Sequence, residues 1–422
     1  MSRHKSKSIV GQLRTVRLTL YLWNYKITPQ GRFLVFGFLL SAAIGSTSVD
    51  MALYLLFCAL SALFLVALLV GFILRPRVKI DGQLTPKTIT GYITEWNFTI
   101  KNLSRLPAFN VSLGFFGLPG SIKEIVETKM VIDLKPGETR SITIQLQAMK
   151  RGVYSMPKIK PYSTFPFNIF RSGSKGVPVR SLMVLPDFQP VAHIDIPASK
   201  SYQPGGIILT SQIGESLEYI GNRDYLPGDS FRNIDFRSWA RLAKPITKEY
   251  HEEYYCRVAL VLDTYVLPGA KRTTGGYPEL EAAISLCATV ADVLSRTEYI
   301  IDIFAVGPEL YVYRAGRNMA HFDNVLEILA CLDACRKNPF ETLTPAIVDE
   351  LANISYVVFV FTIWDETRKK LVQNAAEAGC KIKILMVSKD DRDQSIVDLE
   401  EWVDSVSLYT VDTIKNGRFE FV

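Results

Sequence analysis

The chain has 422 residues and a formal net charge of +6, from 48 Lys+Arg against 42 Asp+Glu. With 48% hydrophobic and 21% charged residues it is no disordered polyampholyte, and six cysteines in so long a chain are no disulfide-stapled mini-domain. The length suits two or three domains, and a mean hydropathy of +0.14 asks where the surplus apolar residues lie.

Residues 1–32 carry Arg3, Lys5, Lys7, Arg14, Arg17, Lys26 and Arg32 and no acid. Around Val10–Tyr25, Leu13, Val16, Leu20 and Trp23 recur at helical spacing beside Arg14 and Arg17, the pattern of a helix lying on a membrane surface, with simple disorder as the equal alternative. The surplus apolar residues follow at 33–74. Phe33–Val49 and Met51–Leu74 are uncharged and separated by Asp50 alone, so they predict two transmembrane helices in a tight hairpin. A signal peptide is the competing reading, but no small-residue cleavage site follows a single apolar core. A buried hairpin of a soluble domain is the other.

The flanks set the orientation. Arg75, Arg77 and Lys79 follow the second span, and basic flanks stay cytoplasmic, so both ends of the hairpin and everything after it are expected in the cytoplasm. Residues 1–79 hold ten basic and one acidic side chain; the remainder is then net −3. The basic balance therefore points to a lipid bilayer as partner and not to nucleic acid.

Residues 80–186 change to period two. Trp96, Phe98 and Ile100 alternate with polar neighbours, as do Ile142, Ile144 and Leu146, with turn chemistry at 102–107 and 133–138. This predicts an antiparallel β-sandwich.

A charged segment, 187–255, comes next. Its stretch 214–255 holds six basic and eight acidic side chains, with Arg223, Asp224, Tyr225, Pro227, Gly228, Asp229, Arg232, Asp235, Arg237 and Arg241 interleaved with Phe231, Ile234, Phe236 and Trp239. Pro227-Gly228 predicts a tight turn. Charges so mixed with aromatics suit carboxylate–guanidinium pairing. Two readings stand side by side: a recognition surface, or an internal ion-pair network. A net charge of −2 disfavours nucleic acid, and no pair of acids is singled out for catalysis.

Residues 256–422 alternate strand and helix. Strands are predicted at Arg257–Asp263, Ile300–Val306, Leu310–Arg314, Tyr356–Thr362 and Lys381–Ser388. Helices are predicted at Pro278–Glu298, His321–Arg336, Glu366–Ala378 and Gln394–Val406. Continuous apolar strands between helices give an α/β doubly wound domain, whose ligand position is the carboxyl end of the strands, near Asp263 and 362–365. Neither phosphate-loop fingerprint follows the first strand. Cys331 and Cys335 fall four apart on a predicted helix with no completing ligand. They are expected, with Cys256, Cys287 and Cys380, to be reduced and buried.

The order of parts, and RDYLPGDSFRNIDFRSWAR followed by Lys248-Glu249-Tyr250, resembles the bacterial domain-of-unknown-function family number 58. Arg223, Tyr225, Gly228, Asp229, Arg232, Ile234, Ala240 and Arg241 fall on its motif. Phe236 stands where the family commonly has Trp. Arg151-Gly152-Val153-Tyr154 and Phe165–Phe170 resemble two further elements, with Phe165 and Asn168 replacing an Asp and a Gly. The resemblance implies a multidomain protein of the bacterial inner membrane. It would have two spans, a β-rich region and a von Willebrand A-like domain, no cofactor, no established enzymatic activity, and a MoxR-type AAA+ ATPase as partner. It implies a scaffold or adaptor in assembly, maturation or stress functions. A von Willebrand A adhesion site binds a divalent cation through Asp-x-Ser-x-Ser, a later Thr and a later Asp. Here the first run is Asp263-Thr264-Tyr265-Val266-Leu267 and the later turn Thr362-Ile363-Trp364, with Asp365 displaced. Asp263 is the one strong ligand left, so the metal site is expected to be degenerate. A metal-dependent protein-ligand receptor using a relaxed site at Asp263 is the alternative.

Overall fold

In the computed structural model the described residues are 19, 21–45, 51–82, 85–125, 130–194, 219–227, 229–250, 257–296, 300–307, 310–315, 319–351, 354–389 and 403–417. Two compact units emerge. One is Met1–Asp187 with Lys271–Glu281 and Leu326–Leu332; the other is Phe188–Ala270 with Ala282–Val325 and Asp333–Val422.

The first unit opens on a wide π-helical turn, Leu22–Lys26, followed by helices α1 (Pro29–Gly45) and α2 (Met51–Ile73). Pro29 suits the first helical position, where its missing N–H costs no bond. The first apolar helix thus begins four residues before the uncharged run and ends before Val49; the link at 46–50, and residues 10–18 of the expected surface helix, lie outside the described residues. Among the described residues only α2 is long and apolar enough to cross a membrane; α1 is shorter, at 17 residues. In α2 only Ala67 and Gly71 are buried, while Leu55, Leu65, Leu69 and Phe72 stand exposed. Phe38 of α1 stacks on Phe57 of α2. Both helices rest on the Phe165–Gly173 loop. Thr28 donates its N–H to the Ile169 carbonyl at 3.0 Å, and Phe64 meets Phe170 at 5.8 Å. Gly31 and Gly71 make the approach possible, since a Cβ on either would collide with the Ile169 carbonyl or the Ser172 hydroxyl.

The strands that follow are β1 (Val78–Gly82), β2 (Lys87–Ile89), β3 (Ile93–Asn102), β4 (Ala108–Phe115), β5 (Ile122–Glu124), β6 (Val131–Leu134), β7 (Thr139–Ala148), β8 (Gly152–Tyr154), β9 (Ile159–Ser163), β10 (Ser172–Gly173) and β11 (Leu182–Leu185). Two antiparallel sheets, β1-β3-β7-β5 and β10-β9-β4-β6, share one core. The period-two pattern explains it: Trp96 pairs with Ile144 and Phe98 with Ile142 on the inward face, while Asn97 and Thr99 face out. Each such buried side chain contributes roughly 1.5–3 kcal/mol. A third sheet, β2-β11-β8, departs from the all-antiparallel expectation, because β2 and β11 run parallel.

The second unit holds the antiparallel pair β12 (Tyr219–Asp224) and β13 (Ile246–Tyr250), with the short helix α3 (Phe236–Leu242) between them. It continues with β14 (Arg257–Asp263), α4 (Pro278–Arg296, whose start through Glu281 belongs to the first unit), β15 (Ile300–Val306), β16 (Leu310–Ala315), α5 (Met319–Cys331, which from Leu326 on belongs to the first unit), α6 (Phe340–Leu351), β17 (Tyr356–Phe361), α7 (Glu366–Glu377), β18 (Lys381–Ser388), β19 (Ser405–Thr410) and α8 (Val411–Lys415). The sheet order is β16-β15-β14-β17-β18-β19, parallel except for β16. Along β14, Ala259 and Val261 enter the core formed with α6 and α7, while Val258, Leu260 and Leu262 are as fully buried on the opposite face. A strand buried on both faces is why its sequence is a continuous apolar run.

Three expectations are corrected. The helix begun near His321 stops at Cys331, so Cys335 is not on it; Cys335 instead bridges Tyr265 in extended backbone, and Cys331 is exposed. Ser405 and Val406, expected to end a helix, belong to β19, with 394–402 outside the described residues. Helix α6 was not anticipated, for Pro345 lies inside it.

Candidate functional site

The charged motif folds as an insertion in the β12–β13 hairpin, where Asp229 and Asp235 are half-buried and bonded to the backbone while Asp224 is exposed. Asp229 accepts a bidentate pair from Arg223, 2.7 Å from each Nη, and a third bond from the Leu226 N–H at 2.9 Å. These bonds close the turn that Pro227 begins, and the Arg223 bonds above all hold the Asp229 carboxyl down to about 2. Asp235 caps α3, accepting from the Arg237 and Ser238 N–H groups and from the Ser238 hydroxyl at 2.6 Å. Asn222 reaches the same carboxylate at 2.8 Å from β12, and the Ser238 and Asn222 bonds lower Asp235 to about 2. Asp224 pairs with Lys244 at 2.8 Å. Ile234 and Ile246 are the buried anchors of the hairpin.

The other half of the motif faces out. Arg232, Arg237 and Arg241 are exposed and make no ion pair among the described residues. Around them Phe231 is 75% exposed, Phe236 67% and Trp239 38%, with Leu226 and Leu242 exposed beside them. Phe236 stacks on Trp239 at 6.1 Å, and Tyr225 lies 6.2 Å from Phe231. Thus Arg232 and Asp235 do not face one another: the acids build the hairpin, and the arginines and aromatics form its surface. Gly228 lies outside the described residues, as do His251 and Cys256.

The second place is the carboxyl end of β14 and β17, where the strand order reverses. Asp263 ends β14 fully buried. Its Oδ1 accepts from the Tyr265 N–H at 2.8 Å, and its Oδ2 from Arg368 Nε at 2.8 Å and Nη2 at 2.6 Å. Arg368, equally buried, donates its remaining Nη1 to Asp365 at 2.5 Å, and its guanidinium lies 4.8 Å from the Phe340 ring and 5.3 Å from Tyr265. Asp365 also caps α7, accepting from the Arg368 N–H. Burial pushes the Asp263 carboxyl up, to about 6 against the pull of Arg368. These residues do not fit a divalent cation. An arginine already neutralises the one strong ligand, Tyr265 and Leu267 stand where hydroxyls would be needed, and the Thr264 hydroxyl donates to the Val306 carbonyl at 2.8 Å. No group of three His, Cys, Asp or Glu side chains suited to a metal occurs among the described residues.

Sequence reading missed Arg368. Its one local signal is the spacing Asp365-x-x-Arg368 at a helix start. Arg151 of the first unit was noted only by resemblance. It is buried, donates to the carbonyls of Leu329 at 2.9 Å and Leu332 at 2.6 Å, and pairs with Glu281.

Residues 221–416 match the family described as Protein of unknown function DUF58. The DUF58 region thus begins on β12, takes in the whole hairpin motif and runs to the end of α8; α1, α2 and the β-sheets of the first unit precede it. No curated protein matches the chain. Among solved structures, the SpRpn10 VWA domain is similar at 10% identity and a TM-score of 0.27, over 39% of this chain and 95% of that one. Native alpha-2-macroglobulin of E. coli is similar at 20% identity and a TM-score of 0.19, over 26% of this chain and 7% of its own. The CARDB domain of PF1109 from Pyrococcus furiosus is similar at 14% identity and 0.19, over 26% of this chain and 95% of its own. The chain therefore spans only a small part of the alpha-2-macroglobulin it matches.

Proposed function

We propose that this chain is a two-pass scaffold of the bacterial inner membrane that presents its DUF58 region in the cytoplasm to a protein partner. A MoxR-type AAA+ ATPase is the partner class that the family resemblance suggests. One observation carries the reading. Three arginines without an ion pair among the described residues and the Phe231, Phe236 and Trp239 rings are exposed on a hairpin in which Asp224, Asp229 and Asp235 are engaged by other partners. Exposed aromatic–arginine surfaces are the composition of interface anchors. The exposed apolar surface of α2 and the basic flanks at Arg75, Arg77 and Lys79 support the anchor and its orientation.

The test is co-purification from bacterial membranes with a non-hydrolysable ATP analogue, read by mass spectrometry, for wild type beside Phe236→Ser/Trp239→Ser. Recovery of an AAA+ ATPase with wild type and its loss with the folded variant is the expected result. Equal recovery by both would move the contact elsewhere, and no ATPase with either would remove the adaptor reading. The metal-dependent receptor gains nothing from the geometry, because Arg368 holds the place against Asp263.

A further inference from the structure

At the end of the first unit where α1 begins and α2 ends, four cations gather around a cluster of aromatic rings. Lys160 Nζ lies 4.6 Å from the Tyr21 ring centre, 5.3 Å from Tyr25 and 5.9 Å from Phe116. The Arg171 guanidinium lies 5.7 Å from Tyr25 and 5.0 Å from Tyr162, so two cations flank the one Tyr25 ring. Lys26 donates to the Arg171 carbonyl at 3.3 Å, and Arg75 donates through Nε to the Gly173 carbonyl. None of the four forms an ion pair with a carboxylate among the described residues; Glu124 is the acid whose field reaches the Tyr25 hydroxyl.

Two buried polar atoms in this cluster lack a hydrogen-bond partner among the described residues: the hydroxyl of Tyr25, a residue 4% exposed, and Arg171 Nε. Folded proteins rarely leave such donors unsatisfied, and gathering like charges costs further free energy. Burial and the neighbouring Arg75 and Lys160 charges lower the Lys26 ammonium accordingly. An anion with several acceptor oxygens would satisfy both orphaned donors and neutralise the cluster together. The cluster's place, beside the ends of two apolar helices, is where phospholipid headgroups lie, and basic pockets at the cytoplasmic ends of membrane helices take such groups.

We propose that Tyr25, Lys26, Arg75, Lys160 and Arg171 form a site for a phosphate group, supplied by an anionic phospholipid headgroup or by free phosphate. The lipid source rests on the membrane reading above; the phosphate chemistry rests on the cluster alone.

The test uses the full chain in neutral detergent, with native mass spectrometry counting retained dioleoylphosphatidylglycerol against dioleoylphosphatidylcholine. Wild type should retain the anionic lipid and not the zwitterionic one. Lys160→Gln and the exposed Arg75→Gln should each weaken retention about fivefold, the size of one basic charge at an anionic surface. Lys101→Gln, on an exposed position of β3, should not. Equal retention by all four proteins would overturn the site, with circular dichroism checking that the variants are folded. A parallel arm adds millimolar inorganic phosphate: displacement of the lipid supports the phosphate chemistry, and stabilisation by phosphate without lipid retention assigns free phosphate as the ligand. Carbonate extraction of the same proteins keeps the two readings apart. A chain that stays in the membrane yet binds no phosphate loses this site and keeps its anchor; a chain that is extracted loses the lipid source.

Discussion

Two carboxylate–guanidinium pairs in the second unit are built alike and placed oppositely. Arg223 and Asp229 lie near the surface of the hairpin, the arginine side chain 36% exposed, whereas Arg368 and Asp263 are sealed at the switch point of the parallel sheet. The first pair closes a turn and leaves other arginines at the surface beside exposed rings. The second engages all three nitrogens of its guanidinium with Asp263 and Asp365 and lies against two rings, fully buried. What distinguishes the two pairs is therefore the fate of the neighbouring charges, left exposed beside the first and buried with the second.

Breaking the buried pair is expected to have the largest effect. Arg368→Ala leaves Asp263 buried and uncompensated and should cost about 3–5 kcal/mol in thermal or denaturant unfolding. Asp263→Leu/Arg368→Met, which removes both charges, should recover most of that loss; a double variant as unstable as the single one would show that the pair does more than balance charge. Next comes acid. Asp229 and Asp235 are both held at about 2, below the ordinary 3.8, so their contribution is complete above about pH 4 and disappears as the pH falls toward 2. Amide exchange across 222–242 should accelerate over that window, and Asp235→Ala, which removes the capping acceptor, should move the loosening of α3 to neutral pH. Unchanged exchange in the variant would mean that the cap does not hold the helix. The smallest effect on stability belongs to the surface: Phe236→Ser/Trp239→Ser should leave unfolding within about 0.5 kcal/mol of wild type, and a larger drop would mean that the two rings brace the fold.

Much of the sheet was legible because its strands are buried on both sides. Arg257–Asp263, Ile300–Val306 and Lys381–Ser388 have in the structure the bounds their apolar runs suggest. Period was a poorer guide at the rim. Ser405–Thr410 mixes polar and apolar residues in a half-buried edge strand, and Pro345 inside α6 hid a helix whose apolar face meets the core. The candidate site divided in the same way. The turn at Pro227 and the pairing chemistry of the motif could be read locally, since Arg223 and Asp229 are six residues apart. The partner of Asp263 lies 105 residues away, and only the parallel pairing of β14 with β17 brings the start of α7 to it. The outward turn of Arg232, Arg237 and Arg241 followed from which acids the backbone N–H groups claimed, which composition does not record.

The most direct measurement is binding of a MoxR-type AAA+ ATPase, the proposed partner, to the full chain in detergent, comparing Arg232→Ala/Arg237→Ala/Arg241→Ala with Asp263→Leu/Arg368→Met. The account predicts that the triple variant loses binding at unchanged thermal stability while the double variant binds as wild type does. Binding kept by the triple variant and lost by a folded double variant would contradict it, and would place recognition at the strand ends.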